Sequence, residues 1–222
     1  MGGAVWAVLV AAGRGERLGD KRPKAFAKLG ELPLLAESLR RLDECEWIDQ
    51  IVVVAPAGWE EPSILLAEQL GVSKVSACVP GGETRSGSVR AGLAEVPEDV
   101  AVVLVHDAAR PVLPAEVVRR LLDALDEGYD GAVPGLAVAD TVKRVAGEVV
   151  VETPPRGELV AVQTPQAFIA SVLRAASAGE GSDCASLVEA AGGRVKVVPG
   201  DERLLKVTTR EDLARVAGWL HE

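Results

Sequence analysis

The sequence predicts an α/β protein: a Rossmann-like, mostly parallel sheet flanked by helices, with a protruding β-arm for dimerisation. Three observations predict it. Short apolar runs of strand length alternate with longer amphipathic stretches along the whole 222-residue chain. The first run, Val5–Val10, ends in the small-residue turn Ala11-Ala12-Gly13. With 48% hydrophobic and 26% charged residues, the chain has the material for one large core.

The elements follow in order. Val5–Val10 reads as the first buried strand and Ile51–Ala55 as the second, with a helix near Leu34–Leu42 between them. Lys74–Val79 follows a helix at Glu60–Leu70, and Val100–Val105 follows one at Arg85–Ala94 and runs into His106-Asp107. Pro114 and Gly128 bracket the helix Ala115–Glu127, proline suiting a first turn and glycine a position past the last. Gly131–Pro134 is a short strand. Ala139–Val145 and Glu148–Thr153 alternate like a hairpin around Ala146-Gly147, and Val149, Val150 and Val151 leave too much apolar surface for a solvated loop. The expectation is an arm, at about 136–157, that packs on another subunit. Gln163–Phe168, helices at Ala170–Ala178 and Ala185–Ala191, and strands at Arg194–Val198 and Leu204–Val207 precede a closing helix. Thr209 with Asp212 three residues on resembles a capping box for that helix. Residues 1–222 are expected to form one domain.

Composition excludes several classes. The formal net charge is −9 and the basic residues are scattered among acids, so no nucleic-acid partner is expected. No window approaches the roughly 20 apolar residues of a membrane span, and Met1-Gly2-Gly3 supplies no basic leader, so no membrane contact is expected and the location is expected to be cytoplasmic. Cys45, Cys78 and Cys184 are odd in number and form no C-x-x-C pair, which predicts buried thiols rather than a disulfide or zinc framework.

The first strand runs into Ala11-Ala12-Gly13-Arg14-Gly15-Glu16-Arg17-Leu18-Gly19 and then Asp20-Lys21-Arg22-Pro23-Lys24. Small residues at the carboxyl edge of such a sheet let backbone N–H groups approach an anion. A dinucleotide fingerprint would place glycine where Leu18 stands and an acid where Ala55-Pro56 stands, and a Walker A loop fails at Gly19-Asp20-Lys21-Arg22. What remains is a loop with two cations, Arg17 and Lys24, the second stiffened by Pro23. By composition alone a tight turn with solvated charges is equally open.

The full string, A-A-G-x-G-x-R-[LM]-x5-P-K after an apolar strand, resembles the signature of the nucleotidyltransferases that make activated sugars and alcohols. Four further segments resemble the 2-C-methyl-D-erythritol 4-phosphate cytidylyltransferase family of non-mevalonate isoprenoid synthesis: Gly81-Gly82-Glu83-Thr84-Arg85-Ser86-Gly87-Ser88-Val89, Val105-His106-Asp107-Ala108-Ala109-Arg110-Pro111, Asp140-Thr141-Val142-Lys143-Arg144 and Thr164-Pro165-Gln166. The matches occur in family order and span nearly the whole chain.

The resemblance implies a homodimeric enzyme that uses CTP, a phosphorylated polyol and Mg²⁺, and forms a cytidine diphosphate alcohol and pyrophosphate. By position in the motifs, Arg17 and Lys24 stabilise the transition state, and Gly13 and Gly15 offer backbone donors to the triphosphate. Ala11, Ala12, Gly82, Glu83, Arg85, Ser88 and Ala108 match the nucleotide-reading regions, though Ser88 can equally cap a helix. Asp107, directly after an apolar strand, matches the metal-proximal acid, though an acid there can also cap a turn. Arg110, Thr141, Arg156, Thr164 and Lys206 match residues around the substrate phosphate, with Arg156 and Lys206 as its cationic pair; Arg156 and Lys206 read as solvated charges without the family. Thr141, Arg110 and Arg156 look like residues that reach across a dimer interface, so the site would be shared. His106 is expected to pack or hydrogen-bond.

Two positions depart from the family pattern. Cys184 stands where many relatives carry an acid and Leu204 where asparagine is common, both expected near the polyol end. The competing readings are another pyrophosphorylase of the superfamily that joins a nucleotide to a sugar phosphate, a nicotinamide-dependent reductase, which the missing third glycine and ribose-binding acid disfavour, and a non-catalytic nucleotide-binding dimer.

Overall fold

The computed structural model describes residues 2–13 and 22–220. Its main sheet is built from β1 (Val5–Val10), β4 (Gln50–Ala55), β5 (Val75–Pro80), β6 (Val102–Asp107), β7 (Gly131–Ala137), β10 (Val160–Val162), β11 (Gln166–Ile169) and β12 (Val195–Pro199). The order is β10-β7-β11-β6-β1-β4-β5, and β12 pairs with β7. The pairs around β1, β4, β5 and β6 are parallel, as is β7 with β12; β10 and β11 run antiparallel to their neighbours.

Helices cover both faces because the strand residues alternate. Ala7, Leu9, Ile51, Val53, Val102 and Leu104 point into one core with α1 (Leu34–Glu44), α2 (Glu60–Leu70) and α4 (Ala115–Asp126). Val8, Val52, Val54, Val103 and Val105 point into the other, with α3 (Arg85–Ala94), α5 (Ala170–Ala176) and α6 (Cys184–Ala190). The approach of α3 to the sheet requires Gly92, since a Cβ there would lie 2.5 Å from Val8 Cγ1 and 2.8 Å from Val54 Cγ2. A third cluster seats α7 (Arg210–Trp219) through Val216 on Leu34, Val112, Val207 and the small hairpin of β2 (Lys28–Leu29) and β3 (Leu32–Pro33). The capping box of Thr209 and Asp212 is present at the start of α7.

Four expectations change. The strand expected to stop at Val105 continues through His106 and Asp107, because Leu9 and Val10 of β1 pair with them. Leu204–Val207 is not a strand: Glu202–Leu204 is a 3₁₀ turn, Leu204 and Val207 enter different clusters, and Val207 N–H bonds to the Ala109 carbonyl at 2.8 Å instead of to a ladder. Val160–Val162 forms a strand not expected from the sequence, on the extended end of β7. The hairpin is shorter than expected, β8 (Arg144–Ala146) with β9 (Val149–Glu152), turning at Gly147 with φ +61°. Residues 139–153 are exposed throughout.

Candidate active site

In the parallel part of the sheet the chain proceeds from β1 to β4 and β5 on one side, then crosses to β6 on the other. The carboxyl ends of β1 and β6 therefore lie at the point where strand order reverses, the place where open α/β sheets leave a crevice. A cleft of about 280 Å³ opens there. Ala11, Ala12 and Gly13 follow β1, Asp107 and Ala108 end β6, and Gly82, Glu83, Arg85 and Ser88 come from the turn into α3; Lys24 and Lys206 complete the wall. Nine residues expected from the motifs at the nucleotide thus converge with Lys24 and Lys206; Gly15, also expected there, and Arg17 lie outside the described residues.

The α3 turn is held by its own polar groups. Thr84 caps the helix, its Oγ1 accepting from Gly87 N–H at 3.0 Å, which is the capping role the sequence left open for Ser88. Ser88 instead donates to the Thr84 carbonyl at 3.0 Å. The preceding Gly81 lets this turn lie against the first loop, since a Cβ would fall 2.2 Å from that of Ala12.

Asp107 is the electrostatic centre of the cleft. Arg85 Nη2 reaches Oδ1 at 3.1 Å and Lys206 Nζ reaches Oδ2 at 2.6 Å. Burial would raise this carboxyl, but the Arg85 and Lys206 charges and the Lys206 hydrogen bond outweigh it and bring it down to about 2. It is ionised at every working pH.

Behind Asp107 lies a chain of hydrogen bonds. Asp107 N–H donates to Thr164 Oγ1 at 3.0 Å, Thr164 Oγ1 lies 3.2 Å from His106 Nδ1, and His106 Nε2 lies 3.0 Å from the Arg110 carbonyl. A carbonyl only accepts, so Nε2 carries the proton, Nδ1 accepts, and the Thr164 hydroxyl donates to it. His106 is fully buried, and burial lowers its pKa to about 4. The ring is a fixed neutral link. Thr164, expected at the substrate phosphate, is itself buried and has its proton committed to His106; it does not line the cleft.

Arg110 donates through Nη1 to the Leu204 carbonyl, which with the Val207 contact pins the segment carrying Lys206 beside the turn after β6. Lys206 and Arg110 also line a second cleft of about 440 Å³, together with Gln163, Glu202 and Arg215. Thr141 and Arg156 lie elsewhere: both are exposed on the arm, where Arg156 Nη1 donates to the Ala139 carbonyl at 3.0 Å. The two departures lie in different places. Cys184 opens α6 and receives Arg85 Nη1 at 3.7 Å, behind the cleft wall that Arg85 forms. Burial pushes its thiol up despite that arginine. Leu204 is fully buried in the core, and only its carbonyl meets the site through Arg110. The network of His106 with Thr164 had no separate signal in the sequence, since its partners are distant along the chain.

Comparison with known proteins gives one family. The family model described as IspD, 2-C-methyl-D-erythritol 4-phosphate cytidylyltransferase, matches residues 5–222. The Nocardia farcinica protein of that name is 46% identical over 214 residues, covering 95% of this chain and 91% of its own length. The crystal structure of the Thermus thermophilus 2-C-methyl-D-erythritol 4-phosphate cytidylyltransferase superposes with a TM-score of 0.78 at 33% identity, covering 97% of this chain and 98% of its own. That of the Anaerococcus prevotii 4-diphosphocytidyl-2C-methyl-D-erythritol synthase gives 0.86 at 26% identity, over 100% of both chains.

Proposed function

The chain belongs to the 2-C-methyl-D-erythritol 4-phosphate cytidylyltransferase family, and from that premise we propose how its residues transfer a cytidylyl group from CTP to 2-C-methyl-D-erythritol 4-phosphate, releasing pyrophosphate for isoprenoid biosynthesis. A phosphate oxygen of the polyol phosphate attacks the α-phosphorus of CTP, and the bond from that phosphorus to the leaving pyrophosphate breaks. A phosphomonoester with a second pKa of about 6 is largely dianionic at neutral pH, so the nucleophile arrives deprotonated. No base is required. His106 is barred from that role by its burial and by the use of both ring nitrogens.

The protein's task is placement and charge neutralisation. The triphosphate lies beside Gly13 at the end of β1, held by its backbone N–H, and Gly15 adds a donor on the strength of the motif alone. Lys24 neutralises charge that builds on the α-phosphoryl oxygens, and Arg17 joins it on the strength of the motif alone. The turn from Gly82 to Ser88, with Ala11 and Ala12, reads the base, and Arg85 and Ala108 border the nucleotide. The observation that carries this reading is the convergence in one cleft of motif residues from four separated stretches of chain.

No three His, Cys, Asp or Glu side chains gather among the described residues. Asp107 nevertheless suits Mg²⁺ in the one-carboxylate manner, in which phosphate oxygens and waters complete the shell: it is ionised and lines the cleft. A cation held there would neutralise phosphate charge. Lys206 and Arg110 face the polyol phosphate, while Thr164 serves from behind by fixing Asp107. Thr141 and Arg156 reach that phosphate from the arm of a second copy. The support is their position on the arm and the arm's exposed Val145, Val149, Val150 and Val151, 53–67% accessible, an apolar surface suited to a homodimer. A cytoplasmic location accords with three free thiols and with substrates that are small phosphorylated metabolites.

Incubation with Mg²⁺, 2-C-methyl-D-erythritol 4-phosphate and each of the four nucleoside triphosphates tests the reading. Pyrophosphate and 4-diphosphocytidyl-2-C-methyl-D-erythritol are expected from CTP. Product from another triphosphate or only from a sugar phosphate would contradict it.

A further inference from the structure

The second cleft contains a cation that the family motifs leave out. Arg215 lies on the exposed flank of α7, next to Val216, whose full burial fixes the rotation of the helix. Its guanidinium carbon stands 5.3 Å from the ring centroid of Trp219, one helical turn on, and Trp219 packs on the third core cluster. The stack holds the guanidinium plane without occupying its N–H edges. Among the described residues it makes no hydrogen bond or ion pair.

The other cations of this cleft are partly committed. Lys206 is bonded to Asp107, and Arg110 spends one nitrogen on the Leu204 carbonyl. Arg110 Nε, however, is buried with no partner, an unmet donor beside a cleft whose one lining acid is Glu202. Three positive groups against one negative, with free guanidinium edges, suit a phosphomonoester dianion, which accepts paired N–H donors from arginine.

We propose that Arg215 binds the phosphate of the second substrate alongside Arg110 and Lys206, and so sets preference for a phosphorylated over a free polyol. The inference rests on the reading of this protein as a cytidylyltransferase. Arg215 is in place before the substrate arrives, because its stack on Trp219 removes rotamers that a solvated arginine would have to give up on binding.

Steady-state kinetics of R215Q, R215L and R215K, with CTP and the polyol phosphate each varied, test it. The KM for 2-C-methyl-D-erythritol 4-phosphate is expected to rise about tenfold in R215Q and R215L, the loss of one charge-assisted contact, with the CTP KM little changed. R215K should recover part of the loss. Competition by the phosphate-free 2-C-methyl-D-erythritol should be the same in all variants. An unchanged KM for the phosphorylated polyol, or a rise shared equally by both substrates, overturns the proposal. Should R215L fold poorly, R215Q and R215K decide. Absence of product from the unaltered protein would instead overturn the cytidylyltransferase reading.

Discussion

Lys206 Nζ lies 2.6 Å from Asp107 Oδ2, joining a carboxylate at the end of β6 to a residue 99 positions later in the chain. Lys206 is 42% exposed along its side chain and Arg85 still covers the other carboxylate oxygen, so solvent screens much of the pair. Its place between two clefts argues for work on substrate more than on stability.

Lys206→Met should therefore separate the two. Unfolding free energy is expected to fall by about 1 kcal/mol or less, while kcat/KM for the polyol phosphate falls about 10²-fold or more. Urea titration beside steady-state kinetics checks it; a large stability loss with intact activity would make the lysine structural.

Thr164 bridges Asp107 N–H and His106 Nδ1 inside the protein. Thr164→Val keeps the shape but strands a buried donor and a buried acceptor, at a cost of about 2–3 kcal/mol. Thr164→Ser keeps the oxygen and should recover most of it. Chemical denaturation of the pair is the measurement.

His106 is neutral in the folded chain until about pH 4, while its ordinary value is 6.5. Between those values the unfolded chain binds the extra proton, so this contribution to stability is complete above 6.5 and is lost as pH falls through 4. It amounts to on the order of 3 kcal/mol. Asp107, lowered from 3.8 to about 2, acts in the same direction further into acid. Urea midpoints from pH 7 to 4.5 should drop steeply in the parent and less steeply in His106→Gln. Activity should show no limb near 6.5 attributable to this ring.

Val150 is 53% exposed on β9. Val150→Asp should leave the monomer's fold intact, because no core contact is removed, yet shift a sedimenting dimer to monomer and reduce activity with it. A monomeric parent, or an active monomeric variant, would contradict the shared site.

Much of this architecture was legible in the sequence. The helices Glu60–Leu70 and Arg85–Ala94 have the bounds their patterns predict, and the Thr209 cap was written in a three-residue spacing. The cleft was legible because short motifs carry it. What the sequence hid was long-range: Leu204–Val207 looks like one strand, but its two ends are claimed by two cores, and the polar pair His106-Asp107, past the apolar run, is held in the sheet by β1. Thr164 carries a motif position, yet only folding reveals that its hydroxyl turns inward, since its partners are 57 and 58 residues away. The place of Cys184 beside Arg85 likewise depends on a contact across 99 positions.

The central claim is that cationic groups in the cleft lower the barrier to nucleotidyl transfer, and Lys24 tests it most directly. Single-turnover rates and CTP dissociation constants for Lys24→Ala should show the chemical step slowed about 10²–10³-fold, with CTP affinity weakened far less. A chemical step as fast as the parent's would contradict the account.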